Sequence, residues 1–345
     1  MFLYERILKI CLFNIEEYFK LEYIKCINFA TKKNQNFRQM KIGIVGTGAI
    51  GGFYGGLLAK NGNDVHFLLN SDYEYVKANG LRIDSELVGD IHLEHVNAYK
   101  SSADMPPCDI ILVCLKTLLN KSLLPEILPP LLHKNSIVIL VQNGLGVEAE
   151  LAGLFPDVLI AGGLAFIASN KIAPGHILHL DQGHINIGNY NIKDTSLLLE
   201  FVDLLNASGI KTRYSDDLSF LRWRKLIWNI AFNGTTVVLN ATTDLLLKQP
   251  ETRQMIKELM LEVIHGAHAC GVELDEQLAE DQLTLTDTFP AYKPSMMLDY
   301  ENNRPLEIKY IYDNPVEEAA RQGFDMKKVK VIADQLHFIQ SRMPV

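Results

Sequence analysis

An α/β half followed by an all-helical half is the architecture this sequence predicts, on three observations. A glycine-rich turn, Gly46-x-Gly48-x-x-Gly51, follows an apolar run and opens a helical one. Near-continuous Val/Ile/Leu runs then recur with helical stretches between them, the pattern of parallel strands buried on both faces. Beyond about Asp217 strand signals disappear and amphipathic helical stretches take over.

Element by element, Lys41–Val45 reads as a short strand and Ala49–Lys60 as a helix stopped by Asn-Gly-Asn. Residues 64–69, 108–117 and 136–144 read as further buried strands, and "VLIAGGLAFIAS" follows a helical stretch at 146–155. The segment "GHILHLDQGHINIGNY" alternates and contains Gly183, which predicts a hairpin within it, before a helix at 197–206. In the second half "MIKELMLEVIHGAHACG" is an amphipathic helix stopped at Gly271. Residues 295–303 and 317–322 are further helices, and "LEIKYIYD" takes a helical or irregular path after Arg304-Pro305. The expected division is therefore 40–215 and 216–345. Residues 1–39 stand apart. They mix apolar residues with Glu5, Glu16, Glu17 and Glu22 and carry no signal-peptide pattern. They read as an extension with no assigned function, Met40 being a candidate natural start.

The bulk numbers agree with a folded two-part chain. Hydrophobic residues make up 48% of 345 and charged residues 21%, enough for a substantial core and too little charge for a disordered chain. A net charge of -8 argues against a general nucleic-acid binder. Cys11, Cys26, Cys108, Cys114 and Cys270 form neither a CxxC nor a zinc-type cluster, so no metal is expected and the thiols read as reduced, as in the cytoplasm. No apolar run reaches membrane-spanning length.

The glycine turn carries the first chemical reading. Between a strand and a helix, Gly46 permits the tight turn, Gly48 the approach of a pyrophosphate, and Gly51 close helix–strand packing. With Thr47, Ala49 and Ile50 between them, these residues predict a Rossmann-type dinucleotide site at a helix N-terminus. The end of the second strand, Leu69-Asn70-Ser71-Asp72, has neither the acid of an NAD site nor the cation of an NADP site at Asn70. Asn70 and Ser71 could hydrogen-bond a 2′-phosphate, and Asp72 could accept from ribose hydroxyls if it turned inward. Both cofactors stay open here.

Lys116 and Asn143 fall at the carboxyl ends of two strands, where open α/β sheets bind ligands. Lys225, Asn229 and Asn233 recur every four residues in "FLRWRKLIWNIAFNG", a polar stripe on an otherwise apolar helix. A half-buried lysine there would have a lowered pKa and could donate a proton near neutrality, and the two amides could hold a polar substrate. The competing reading is a wet helix face, with Arg222 and Arg224 as signs of exposure.

Taken in order, the glycine loop, "LVCLKT", "VQNG", "LRWRKLIWNIAFN" and "SMMLDYENNRPLEIKYI" resemble the ketopantoate reductase (2-dehydropantoate 2-reductase) family over residues 40 to the end. The resemblance implies a Rossmann domain followed by a helical one, with the active site in the cleft between them. It also implies NADPH-dependent reduction of ketopantoate to pantoate, on the route to pantothenate and coenzyme A. Lys225 then matches the general acid and Glu307 its acidic partner, which also holds the substrate hydroxyl. Asn229 and Asn233 match substrate amides, Ser295 a carboxylate-binding hydroxyl, and Lys116 and Asn143 residues near nicotinamide and substrate. Asn70 stands where the family commonly has the arginine for the 2′-phosphate, which leaves NAD open beside NADP. Two readings compete: a reductase of another small 2-oxo acid, and a catalytically silent dinucleotide-binding redox sensor. Neither nucleic acid nor membrane is an expected partner, and reductases of this type can pair as homodimers through the helical domain.

Overall fold

A computed structural model of the protein describes residues 39–344. The reading of the leader therefore falls, but for Gln39, outside the described residues. Along the chain run β1 (Lys41–Val45), α1 (Ala49–Lys60), β2 (Asp64–Leu68), α2 (Tyr73–Asn79), β3 (Leu81–Ser85), β4 (Ile91–Leu93), β5 (Asn97–Tyr99) and β6 (Ile110–Val113). Next come α3 (Asn120–Ile127), β7 (Ile137–Leu140), α4 (Val147–Leu154), β8 (Leu159–Ala173), β9 (His176–Asn189), α5 (Ser196–Ala207) and β10 (Thr212–Ser215). Helices follow: α6 (Leu218–Asn229), α7 (Thr235–Leu239), α8 (Thr243–Lys248), α9 (Pro250–Ala269), α10 (Gln277–Asp287), α11 (Ser295–Glu301), α12 (Asn314–Arg321) and α13 (Lys327–Arg342).

The described strands form one sheet in the order β4-β3-β9-β8-β7-β6-β1-β2-β5, with β10 paired to β9. β2, β1, β6, β7 and β8 run parallel, so the carboxyl ends of β1, β2, β6 and β7 share one edge, and Asn70, Lys116 and Asn143 follow three of them. β6 and β7 are buried throughout, as their unbroken aliphatic sequence requires.

The hairpin expected within residues 175–190 has a different shape. That segment is one strand, β9, and it pairs antiparallel with the preceding β8 through a turn at Pro174-Gly175, where Gly175 has φ +61°. Gly183, φ +110°, is a bulge: it is left unpaired where the register shifts between Phe166 and Ile167. Glycine inside an alternating strand signals either event, and the long partner strand upstream decides which.

Below Ser215 the described residues contain no further strand. α6, α9, α11, α12 and α13 share an apolar core that includes Trp223, Ile227, Phe232, Met260, Val263, Met297, Tyr312 and Leu336. The sheet has its own core, which Tyr310 joins from the helical part, and Leu218 and Leu221 of α6 pack on Leu164 of β8. The helical part thus rests on the sheet through α6. The long C-terminal helix α13 goes beyond the sequence reading, although Val329, Ile332, Ala333 and Leu336 bury one face of it at helical spacing. "LEIKYIYD" resolves into a π-helical turn, Lys309–Asp313, and a second π turn, Ile230–Gly234, joins α6 to α7.

Candidate active site

The glycine loop fits a dinucleotide phosphate. Gly46 has φ +95°, a left-handed conformation that favours glycine. A Cβ at Gly51 would lie 2.2 Å from the Gly46 carbonyl oxygen, so the third glycine lets the helix start against the strand. A Cβ at Gly48 would meet nothing within 4 Å: the space there is open for a ligand. No side chain caps α1 at Gly48 and no acid lies in its first turn, so the first N–H groups stay available to an anion. Thr47, Ala49 and Ile50 are half-buried around this mouth, and the Thr47 hydroxyl donates to Leu68 O at 3.1 Å.

Asn70 stands apart, exposed at the end of β2. Asp72 does turn inward, 6% exposed, but toward protein. Its carboxylate accepts from Lys171 Nζ at 2.8 and 2.9 Å, from Gly175 N at 3.1 Å and from Ser71 Oγ at 3.0 Å. The ribose contact considered for Asp72 is thereby corrected: the tip of the β8–β9 hairpin has taken its oxygens.

Around the edge of β6 and β7 the structure gathers a charged cluster. Lys116 Nζ lies 2.7 Å from Asp299 Oδ2 and 3.2 Å from Glu307 Oε2. The other Glu307 oxygen accepts from Thr117 N at 3.0 Å and Thr117 Oγ1 at 2.7 Å, and Asp299 also meets Arg304 Nε at 3.0 Å. Burial works against the charge of Lys116, but Glu307 and Asp299 outweigh it and hold its pKa above the ordinary lysine value. Asn143 is half-buried one strand over. Its loop is seated by Leu145 N–H donating to Tyr310 O at 2.8 Å, and by Gln142 Nε2 donating to Leu115 O at 2.8 Å.

Lys225 sits in the opposite kind of environment. Its Nζ donates to Ala165 O at 2.6 Å and lies 5.0 Å from the centre of the Phe166 ring, with no carboxylate bonded to it. Burial, reinforced by the nearby Arg222 charge and partly opposed by Glu307, brings its pKa down to about 7. Arg222 is not a sign of exposure. Its side chain is 3% exposed, paired with the equally buried Glu148, and it donates to the carbonyl of Gln142 beside Asn143. Arg222 therefore fastens α6 to the end of β7.

Asn229 and Asn233 are buried, 6% and 2% exposed. Asn229 Nδ2 and Asn233 Oδ1 have no hydrogen-bond partner in the protein, a donor and an acceptor left for something else. Ser295 is the half-buried first residue of α11. Sequence reasoning gave no role to Asp299, Thr117, Phe166, Arg222, Glu148 or Tyr312. Asp299, Thr117 and Arg222 stand in the quoted motifs "SMMLDYENNRPLEIKYI", "LVCLKT" and "LRWRKLIWNIAFN", whereas Phe166, Glu148 and Tyr312 lie outside them.

A glycine-loop sheet joined to a helical part that carries a tuned lysine defines a class: two-part oxidoreductases of the dinucleotide type. Comparison with known proteins specifies it. The family described as "Ketopantoate reductase PanE/ApbA" matches residues 42–191, and "Ketopantoate reductase PanE/ApbA C terminal" matches residues 217–340. A 2-dehydropantoate 2-reductase of Nostoc sp. is 43% identical over 309 residues, covering 88% of this chain and 96% of that protein. The crystal structure of 2-dehydropantoate 2-reductase from Geobacter metallireducens is 40% identical with TM-score 0.83, covering 87% of this chain and 99% of that one. A D-mandelate dehydrogenase solved with NADH and anilino(oxo)acetate shares the fold at 21% identity and TM-score 0.80, covering 88% of this chain and 98% of that one. The chain belongs to the ketopantoate reductase family.

Proposed function

We propose that this chain reduces ketopantoate to pantoate with NADPH, Lys225 being the proton donor. The observation that carries the reading is the contrast between its two site lysines. Lys116 is held charged between two carboxylates, while Lys225 is brought to about 7 on the helix that also bears two unpartnered amides. Opposite tuning of neighbouring groups is how acid and binding roles are separated at neutral pH.

Bound at the glycine loop, the nicotinamide dinucleotide supplies the hydride. Reduction of a ketone puts negative charge on its oxygen, and the Lys225 ammonium stabilises that charge and then gives it a proton. Asn229 and Asn233 hold the substrate's polar groups, Ser295 its carboxylate, and Glu307 its hydroxyl. Lys116 and Asn143 hold the reacting ends of substrate and cofactor together at the strand edge. NADPH is preferred over NADH in this reading because the end of β2 offers ribose hydroxyls no free carboxylate: Asp72 is committed to Lys171. The catalytic helix then opens the helical domain proposed for residues 216–345.

The test is loss of nicotinamide absorbance with purified protein, ketopantoate and each cofactor, with pantoate identified as product. Turnover should be faster with NADPH and fall about 10²- to 10⁴-fold in Lys225→Ala. Cofactor binding without ketopantoate turnover would overturn the reading in favour of another 2-oxo acid or a silent binder.

A further inference from the structure

The stripe of Lys225, Asn229 and Asn233 is not made by the α-helix alone. An α-helix turns about 100° per residue, so residues four apart drift by about 40° and residues eight apart by about 80°. A π turn accommodates one extra residue, which takes back about 100° for everything beyond it. The π turn Ile230–Gly234 contains Asn233, the last residue of the stripe. Its smaller rotation per residue turns Asn233 back toward the direction of Lys225, where a regular helix would carry it away.

One side chain holds that turn open. In a regular helix Gly234 N–H would bond to Ile230 O. Here Gly234 N–H donates to the Tyr312 hydroxyl at 2.5 Å, and that hydroxyl donates to Ile230 O at 2.8 Å. The phenol oxygen is thus wedged into the hydrogen-bond ladder, a recognised cause of helix distortion. Tyr312 is 0% exposed, and its burial pushes ionisation far above neutrality, so the group stays a hydroxyl able to donate and accept. Gly234 makes room for it: a Cβ there would lie 2.5 Å from the Tyr312 oxygen and 2.6 Å from Ile332 Cγ2. Tyr312 itself belongs to the second π turn, whose Tyr310 carbonyl seats the loop after Asn143. Segment 309–313 therefore touches both the Asn143 loop and the turn that carries Asn233.

We infer that Tyr312 is a positioning residue for substrate binding: its hydroxyl, wedged between Gly234 N–H and Ile230 C=O, maintains the π turn that aims Asn233 with Asn229 and Lys225. The inference deepens the reductase reading and rests on it.

Tyr312→Phe keeps the ring and removes the wedge. The expected result is a KM for ketopantoate raised at least about tenfold with a smaller change in kcat and an unchanged Kd for NADPH, a split that loss of stability alone would not produce. Asn233→Ala should give a similar rise, and Tyr312→Phe/Asn233→Ala should be no worse than either alone, because both remove one contact. Wild-type KM in Tyr312→Phe, or multiplied effects in the double variant, would overturn the inference. A crystal structure of Tyr312→Phe gives a readout independent of substrate. The turn should close to α-helical bonding with Gly234 N–H on Ile230 O, and persistence of the π turn overturns the inference even if ketopantoate proves not to be the substrate. Should Tyr312→Phe not fold, Gly234→Ala displaces the hydroxyl from the other side and should raise KM in the same way; an unchanged KM there counts against the wedge.

Discussion

Arg222 and Glu148 form an ion pair that is almost wholly buried, 3% and 4% exposed, between α6, which carries Lys225, and α4, which follows β7. Removing one member leaves the other charge buried without its partner, which costs about 3–5 kcal/mol. Glu148→Gln should therefore lower the unfolding midpoint sharply in a denaturant titration. Replacing both, as Arg222→Met/Glu148→Leu, should recover most of that stability. In the double variant the positive charge that helps to depress Lys225 is gone, so the pH at which kcat falls should move upward. An unmoved midpoint would show that burial alone tunes the lysine.

A pH dependence follows from the proposed role of Lys225. An acid must carry its proton, so kcat should be high below about 7 and decline as pH rises through the lysine's pKa. The profile of single-turnover rates, with cofactor saturating, checks this. A flat profile from pH 6 to 9 would remove Lys225 from the proton-donor role.

Lys225 also loads the fold. Its folded-state pKa lies below its unfolded value, so the unfolded chain binds the extra proton between those two values and this group makes stability increase with pH across that window. Lys225→Met should therefore be inactive yet more stable. The gain should be on the order of a few kcal/mol near pH 6, less the lost bond to Ala165, and should fade toward pH 10. Thermal unfolding of both proteins across that range measures it.

Lys116 is half-exposed, but the two carboxylates it joins are not, at 3% and 6%. Lys116→Met leaves buried Glu307 without its cation, while Asp299 keeps Arg304 at 3.0 Å. It should raise KM for ketopantoate and destabilise the fold by about 3 kcal/mol.

Asn70→Arg should tighten NADPH relative to NADH by about tenfold or more, the worth of charge-assisted hydrogen bonds to a phosphate. Equilibrium binding of each cofactor checks this. An unchanged ratio would mean that position 70 does not face the adenosine ribose.

Much of the scaffold was legible along the chain. β1 and α1 lie where local pattern put them, because an aliphatic run, a glycine turn and an Asn-Gly stop are local instructions. The four-residue recurrence of Lys225, Asn229 and Asn233 was equally visible. The pairing of β8 with β9 was not, since a glycine in a strand reads alike as turn or bulge until the partner strand is known. Arg222 looked like a surface residue because nothing near it in sequence reveals a carboxylate 74 positions away.

The sequence by itself determined the glycine turn between β1 and α1, the division into a sheet part and a helical part, and the four-residue recurrence of Lys225, Asn229 and Asn233, since these depend on neighbours within a few positions. Tertiary structure alone decided what those residues became. It joined Lys116 to Glu307 across 191 positions, tied up Asp72 with Lys171, and half-buried Lys225 beside Arg222, which lowers its pKa to about 7. It also drove the hydroxyl of Tyr312 into a helix 82 positions upstream. Desolvation and long-range hydrogen bonding are properties of the packed interior, and no local pattern of residues encodes them.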